Sequence, residues 1–294
     1  MSRLFGLLAV LVACDASGEQ GEAAIQRFVN AVRDAPIYQT AVVLDVGANN
    51  GAWASRVMER VWREGTKVRV WPVLFEPQKE YFVRLQQLAG DWGGTFYPAV
   101  AWTKAANLSF YLSHFKEASS LSEQIALTFS KPDVNARTRR VTVPAVDLAH
   151  VLRSCVRRAK GGPIILKLDV EAAEYDVLPR LLLTGALCRC TFLLIEWHLN
   201  ALPAERKLQG MLLRNALDEL LARGCVRPPR LIIHDEDFLN NYGDPIPGLA
   251  ELAARHTVNR HLPNKRPYAI AASVIAERSR RRAPETDTNT KLGD

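Results

Sequence analysis

The sequence contains no Cys-x-x-Cys pair, no His-Glu-x-x-His, no Gly-x-Gly-x-x-Gly and no internal repeat. Its cysteines are five, at Cys14, Cys155, Cys188, Cys190 and Cys225. That is neither the spacing of a zinc or redox motif nor the density of a disulfide scaffold, so they read as scattered buried thiols. The six histidines are equally dispersed. The missing dinucleotide fingerprint argues against an NAD(P)-dependent oxidoreductase, which also needs a Tyr/Lys or His hydride-site pair that is not apparent. No apolar run reaches the roughly 20 residues that cross a bilayer.

Charge of one sign is nearly absent as a global feature. Lys and Arg number 38 against 31 Asp and Glu, for a net +7. Arg278, Arg280, Arg281 and Arg282 lie in one run, and without those four the chain carries only +3. The sequence pI of 9.3 therefore gives no reason to expect a nucleic-acid partner. Apolar residues at 48% and charged residues at 23% are ordinary for a globular protein. A chain of 294 residues buries a full core without disulfide staples.

The first eighteen residues stand apart. Arg3 precedes an apolar run from Leu4 to Ala13, followed by Cys14-Asp15-Ala16-Ser17-Gly18. A basic start, a short apolar stretch and small residues resemble a signal peptide. Leu11-Val12-Ala13-Cys14 also resembles a bacterial lipoprotein cleavage box. The alternative is the opening of an amphipathic helix in a cytoplasmic protein. The expected organisation is a targeting segment over 1–18, one domain over 19–276, and a polar, basic, disordered tail over 277–294.

Between those ends, strands alternate with helices. A leading helix is expected from Ala23 to Val32, and strands from Ala41 to Val46, Val68 to Phe75 and Thr95 to Val100. Leu108 to Leu112, Val141 to Val146, Pro163 to Leu168, Phe192 to Ile195, Leu231 to Ile233 and Tyr268 to Ile275 follow. Helices are expected from Trp53 to Trp62, from Tyr81 to Leu88 (closed by Gly90), from Asp147 to Arg158, from Ala172 to Leu183 and from Glu205 to Arg223. Residues 113–140 lack periodicity and read as a loop or insertion holding Ser119, Ser120 and Ser122. This alternation implies an α/β fold, a doubly wound, mostly parallel sheet with helices on both faces.

In such a sheet, ligands bind beyond the carboxyl ends of the strands. The informative residues fall there. Asp45-Val46-Gly47-Ala48-Asn49-Asn50-Gly51 leads from the first strand into a helix, with Gly47 permitting a tight turn and close approach of a ligand. Glu76, after the second strand, is placed to accept the two hydroxyl hydrogens of a ribose. Asp169, Glu171 and Glu174 follow a buried strand within six residues, either as reacting groups or as acids suited to a helix N-terminus. His198, two residues past another strand, has the ordinary pKa of a general base.

Together, Val42 through Gly51, Phe75-Glu76-Pro77, Ala99-Val100-Ala101, Lys167 through Glu174 and Ile195-Glu196-Trp197-His198 resemble the FkbM methyltransferase family over residues 38–235. The resemblance implies a Rossmann-like fold and transfer of a methyl group from S-adenosylmethionine to a hydroxyl of a sugar, polyketide or other small molecule. It implies that Asp45, Gly47, Asn49 and Gly51 line the cofactor's amino-acid end, that Glu76 holds its ribose, and that Ala101 passes under its adenine. Asp169, Glu171 and Glu174 would border the methyl-transfer site, with Asp169 shared by cofactor and chemistry. One departure is Ala172, where the family pattern has glycine. At φ > 0 an alanine there is strained by roughly 1 kcal/mol.

An alcohol acceptor needs a base or a metal to become nucleophilic. Asp169, Glu171 and His198 are the candidate bases, and no metal is assigned, although Asp169 and Glu171 could hold a divalent cation. A site built from this cytosolic cofactor sits awkwardly with a secreted protein. The rival to an active enzyme is a catalytically silent binding module of the same fold.

Overall fold

The computed structural model describes residues 19–113, 119–123, 126 and 138–235. The signal-like segment 1–18, the expected strand over 268–275, the polar tail and Cys14 lie outside the described residues. So does most of the serine-bearing loop. Among these residues the α-helices and β-strands follow in the order α1 (Glu19–Arg33), β1 (Thr40–Val46), α2 (Ala52–Arg63), β2 (Arg69–Phe75), α3 (Phe82–Asp91), β3 (Thr95–Tyr97), β4 (Val100–Trp102), β5 (Ala106–Leu112), β6 (Arg139–Asp147), α4 (Leu148–Ala159), β7 (Ile164–Leu168), α5 (Glu174–Leu183), β8 (Phe192–Glu196), α6 (Ala204–Gly224) and β9 (Leu231–Asp235).

Six strands form one sheet in the order β3-β2-β1-β7-β8-β9, every neighbouring pair parallel. The chain winds outward from β1 through β2 and β3, then returns beside β1 to wind the other way through β7, β8 and β9. This is the doubly wound, Rossmann-like order, and its reversal lies between β1 and β7.

The strands are apolar on both faces because helices cover both. Val42, Leu44 and Val46 of β1 enter one core with α4, α5 and the inner face of α6. Ala41 and Val43 enter the other core, with α1, α2 and α3. In α2 the buried residues are Trp53, Ala54, Val57, Met58 and Val61, the spacing of a single helical face. α4 starts where Asp147 accepts the amide hydrogens of Ala149 and His150 at 2.9 and 3.2 Å.

A second sheet, β4-β6-β5, pairs β4 with β6 in parallel and β5 with β6 antiparallel. The single strand expected from Thr95 to Val100 is therefore divided between the two sheets. Pro98 has no amide hydrogen to continue the ladder, and the chain changes sheets there. The helix expected to close at Gly90 runs to Asp91, and the left-handed turn that follows it is at Gly93 (φ 61°). β6 is nine residues long, three more than its alternating core suggests.

The scattered-thiol expectation is corrected at one pair. Cys188 and Cys225 form a disulfide with a Cα–Cα distance of 5.2 Å, tying the turn before β8 to the end of α6. Cys155 and Cys190 are free and buried. Among the described residues, no helix is long and apolar enough to cross a membrane.

Candidate functional site

The crevice where the sheet reverses is narrow. The Asp169 amide donates to the Val46 carbonyl at 3.0 Å, and the amides of Gly47 and Ala48 donate to the Phe75 carbonyl at 3.1 and 2.8 Å. Gly47 has φ 85°, and a Cβ on it would lie 1.7 Å from the carbonyl oxygen of Asp169. Its glycine is thus required by the approach of two backbones, where the sequence suggests a collision with ligand. Gly51 (φ 77°) caps α2, and its Cβ direction meets Leu85 and Leu88 at 2.9 Å. It serves helix packing and does not reach the cavity.

Between these points Asn49, also left-handed at φ 48°, turns its amide toward Glu76. The Glu76 carboxylate is 3% exposed and accepts from the Asn49 amide at 2.8 Å and the Gln78 amide at 2.9 Å. Burial pushes its pKa up to about 7 against the pull of those two amides. The cavity beside it has a volume of about 270 Å³, near the lower end for small-molecule sites. Gly47, Asn49, Glu76, Ala101, Asp169 and Glu171 line it. Asp45, Gly51 and His198 stand behind its wall.

The acidic wall is denser than the sequence suggests. The ammonium of Lys167, buried in β7, lies 2.6 Å from Oδ2 of Asp169. Burial disfavours its charge, but Asp169, Asp45 and Glu196 hold it firmly protonated. For Asp169, burial is outweighed by Lys167 and His198, which keep its pKa below the usual carboxylate range. Burial pushes Glu171 up to about 7 and Glu196 up to about 9. Asp45 is fully buried, and burial pushes it up to about 6 against the pull of Lys167.

His198 is buried among these acids. Its amide donates to Oε1 of Glu174 at 2.8 Å, and its Nδ1 lies 3.3 Å from the same oxygen. Its Nε2 faces Glu171, Glu196 and Asp169 at 3.6, 3.7 and 3.9 Å. Burial opposes a charge there, yet Glu171, Glu174 and Glu196 raise its pKa well above the ordinary value. α5 has no side-chain cap; Glu174 and Asp176 lie in its first turn, and the carboxylate of Glu174 turns to His198.

The strand-to-helix corner is left-handed at two successive residues, Glu171 (φ 50°) and Ala172 (φ 70°). The alanine therefore occupies the strained conformation that glycine takes freely. Ser120 Oγ donates to the Glu171 carbonyl at 2.8 Å and fixes that corner. The sequence model of the methyltransferase FkbM domain matches residues 45–225, more than half of the chain.

The chain belongs to the FkbM methyltransferase family.

The match begins at Asp45 of β1 and ends at Cys225, so the FkbM domain spans the crevice, the acidic wall and the disulfide. No curated protein and no solved structure is matched by the chain. Several residues of this FkbM site were not singled out from sequence. Lys167 had a visible signal, a lone charge inside Ile-Ile-Leu-Lys-Leu. Glu196, the last residue of β8, reaches the cavity that His198 does not. Ser119 lines the cavity and donates to the Gln78 side chain at 3.2 Å, a contact across 41 positions that no local pattern announces.

Proposed function

We propose that this FkbM protein is an S-adenosylmethionine-dependent O-methyltransferase whose acceptor is a hydroxyl of a small molecule or carbohydrate. The observation that carries the reading is Glu76. It is a buried carboxylate at the end of β2, anchored by the glycine-loop amide of Asn49, with lone pairs left for a vicinal diol. The charge of the cavity supports the same ligand. Glu76, Asp169, Glu171 and Glu196 line it against the single ammonium of Lys167, which Asp169 already pairs. Such a wall favours a ligand bearing a sulfonium and an ammonium, and it disfavours the pyrophosphate of a dinucleotide.

In this reading Gly47 and Asn49 border the amino-acid end, Glu76 holds the ribose and Ala101 lies against the adenine. Asp45 and Gly51 support the loop from behind. When bound, the cofactor supplies an electrophilic methyl on a positively charged sulfur. The chain aligns the acceptor oxygen and receives its proton. Glu171 is our choice for the proton acceptor, because it lines the cavity at the left-handed corner beside Asp169. His198 lies behind these two and positions them.

The test is incubation of the purified chain with methyl-tritiated cofactor and a fractionated metabolite extract. The reading expects label in small hydroxylated compounds, stable to mild base as an ether is, and lost with Glu171→Gln. Label confined to protein, or none in any fraction, contradicts it.

A further inference from the structure

We propose that the acidic wall of this FkbM domain binds one divalent cation, held by Asp169, Glu196 and His198. These residues leave the ends of the adjacent parallel strands β7 and β8, whose paired register runs to Leu168 and Ile195. Each offers one ligand atom, and the three atoms lie within 4.8 Å of one another.

The spacing between the imidazole and the acids in front of it leaves room for a shared cation. The carboxylate oxygens of Glu171, Glu196 and Asp169 stand 3.6, 3.7 and 3.9 Å from Nε2 of His198. All three are too long for hydrogen bonds. Ligands at about 2.1 Å from one ion stand about 3.0–3.5 Å apart as neighbours and about 4.2 Å apart when opposite. Small side-chain movements bring the set to that geometry.

The second observation is the other side of the imidazole. His198 is 6% exposed and Glu174 fully buried. Oε1 of Glu174 sits at Nδ1 and accepts the His198 amide hydrogen, while its Oε2 is buried with no partner. A carboxylate behind a histidine fixes the ring and the tautomer with the proton on Nδ1, which turns the Nε2 lone pair toward the three acids. Metal-binding histidines are commonly held this way. Lys167 occupies Oδ2 of Asp169, and Oδ1 faces Nε2 of His198 at 3.9 Å.

One imidazole with two or three carboxylates suits Mn²⁺, Mg²⁺ or Zn²⁺ rather than a soft metal. Asp169 and Glu196 line the cavity, so open coordination positions face it. The role of the ion rests on the methyltransferase reading. It binds the acceptor hydroxyl oxygen and lowers its pKa. The O–H proton passes to Glu171, the oxygen forms a bond to the methyl carbon, and the carbon–sulfur electron pair stays on sulfur.

The experiment titrates the full chain with Mn²⁺ alone, reading free ion by electron paramagnetic resonance. One ion per chain is expected. Glu196→Gln and His198→Gln should each weaken uptake tenfold or more, and Glu174→Gln about 10–100-fold through the orientation of the ring. Glu64→Gln, on the surface, should leave it unchanged. Circular dichroism shows which variants fold, and Glu196→Gln, at the cavity edge, carries the test if His198→Gln does not. No stoichiometric uptake, or equal uptake by folded Glu196→Gln, overturns the proposal. S-adenosylhomocysteine binding is measured in parallel: a chain that binds it and not Mn²⁺ loses the ion and keeps the methyltransferase reading.

Discussion

Asp45 and Lys167 are register partners on β1 and β7, so a buried carboxylate and a buried ammonium share one face of the sheet where it reverses direction. Lys167 also pairs with Asp169 at the strand end. The ammonium thus links the interior of the sheet to the cavity wall. Lys167→Met keeps the length and removes the charge that faces both carboxylates. Removing one partner of a buried pair costs about 3–5 kcal/mol. Urea unfolding of the variant measures it, and a loss below about 1 kcal/mol would show the lysine to be incidental.

Two left-handed positions at the crevice should respond with opposite signs. Gly47→Ala adds a Cβ that would overlap the Asp169 carbonyl at 1.7 Å, on a backbone with φ 85°. Strain at that angle is about 1–2 kcal/mol before the strand ends are forced apart. The expected loss of stability exceeds about 2 kcal/mol. Ala172→Gly relieves a residue already at φ 70°. It should raise stability by about 0.5–1 kcal/mol after the greater freedom of glycine in the unfolded chain is subtracted. Equal signs in thermal melts would contradict the account of both residues.

These two positions also show what could be read in the sequence. The strand, glycine loop and helix around Asp45 to Gly51, and the acids after β2 and β7, were legible because each is a local pattern. The reason for Gly47 was not, since the atom it avoids belongs to Asp169, 122 positions away. Likewise Gly51 reads as a ligand-facing glycine until Leu85 and Leu88 are seen against it. His198 reads as a base by residue type, and four carboxylates, three from the corner after β7 and one from its own strand end, surround it. The Cys188–Cys225 bridge depends on α6 folding back beside the turn before β8, which spacing does not reveal.

That bridge closes a sequence separation of 37 residues. Loop-closure entropy for such a span is worth about 3–4 kcal/mol. Reduction with dithiothreitol should lower the unfolding midpoint of the parent and leave Cys188→Ala unaffected. Equal shifts in both would show that the bridge does not stabilise the domain.

Glu76 should make cofactor affinity depend on pH. Burial holds its pKa at about 7, with Asp169 adding to the rise and the Gln78 and Asn49 amides opposing it. A diol donates to the carboxylate, so affinity is full above that value and falls as Glu76 takes a proton. Between pH 8 and pH 6 the loss should be about tenfold. Glu76→Gln, which does not titrate, should flatten that dependence, and an unchanged pH profile in the variant would assign the effect to another group.

The most direct measurement is a calorimetric titration of the full chain with S-adenosylhomocysteine at pH 8, set beside the same titration of Glu76→Ala. The account predicts saturable binding of one molecule per chain by the parent. It predicts that the variant, still folded, binds about 1.5–3 kcal/mol more weakly, the scale of hydrogen bonds to a charged group. No binding by the parent, or equal affinity in the two proteins, would contradict the claim that the crevice between β1 and β7 is a methyl-donor site.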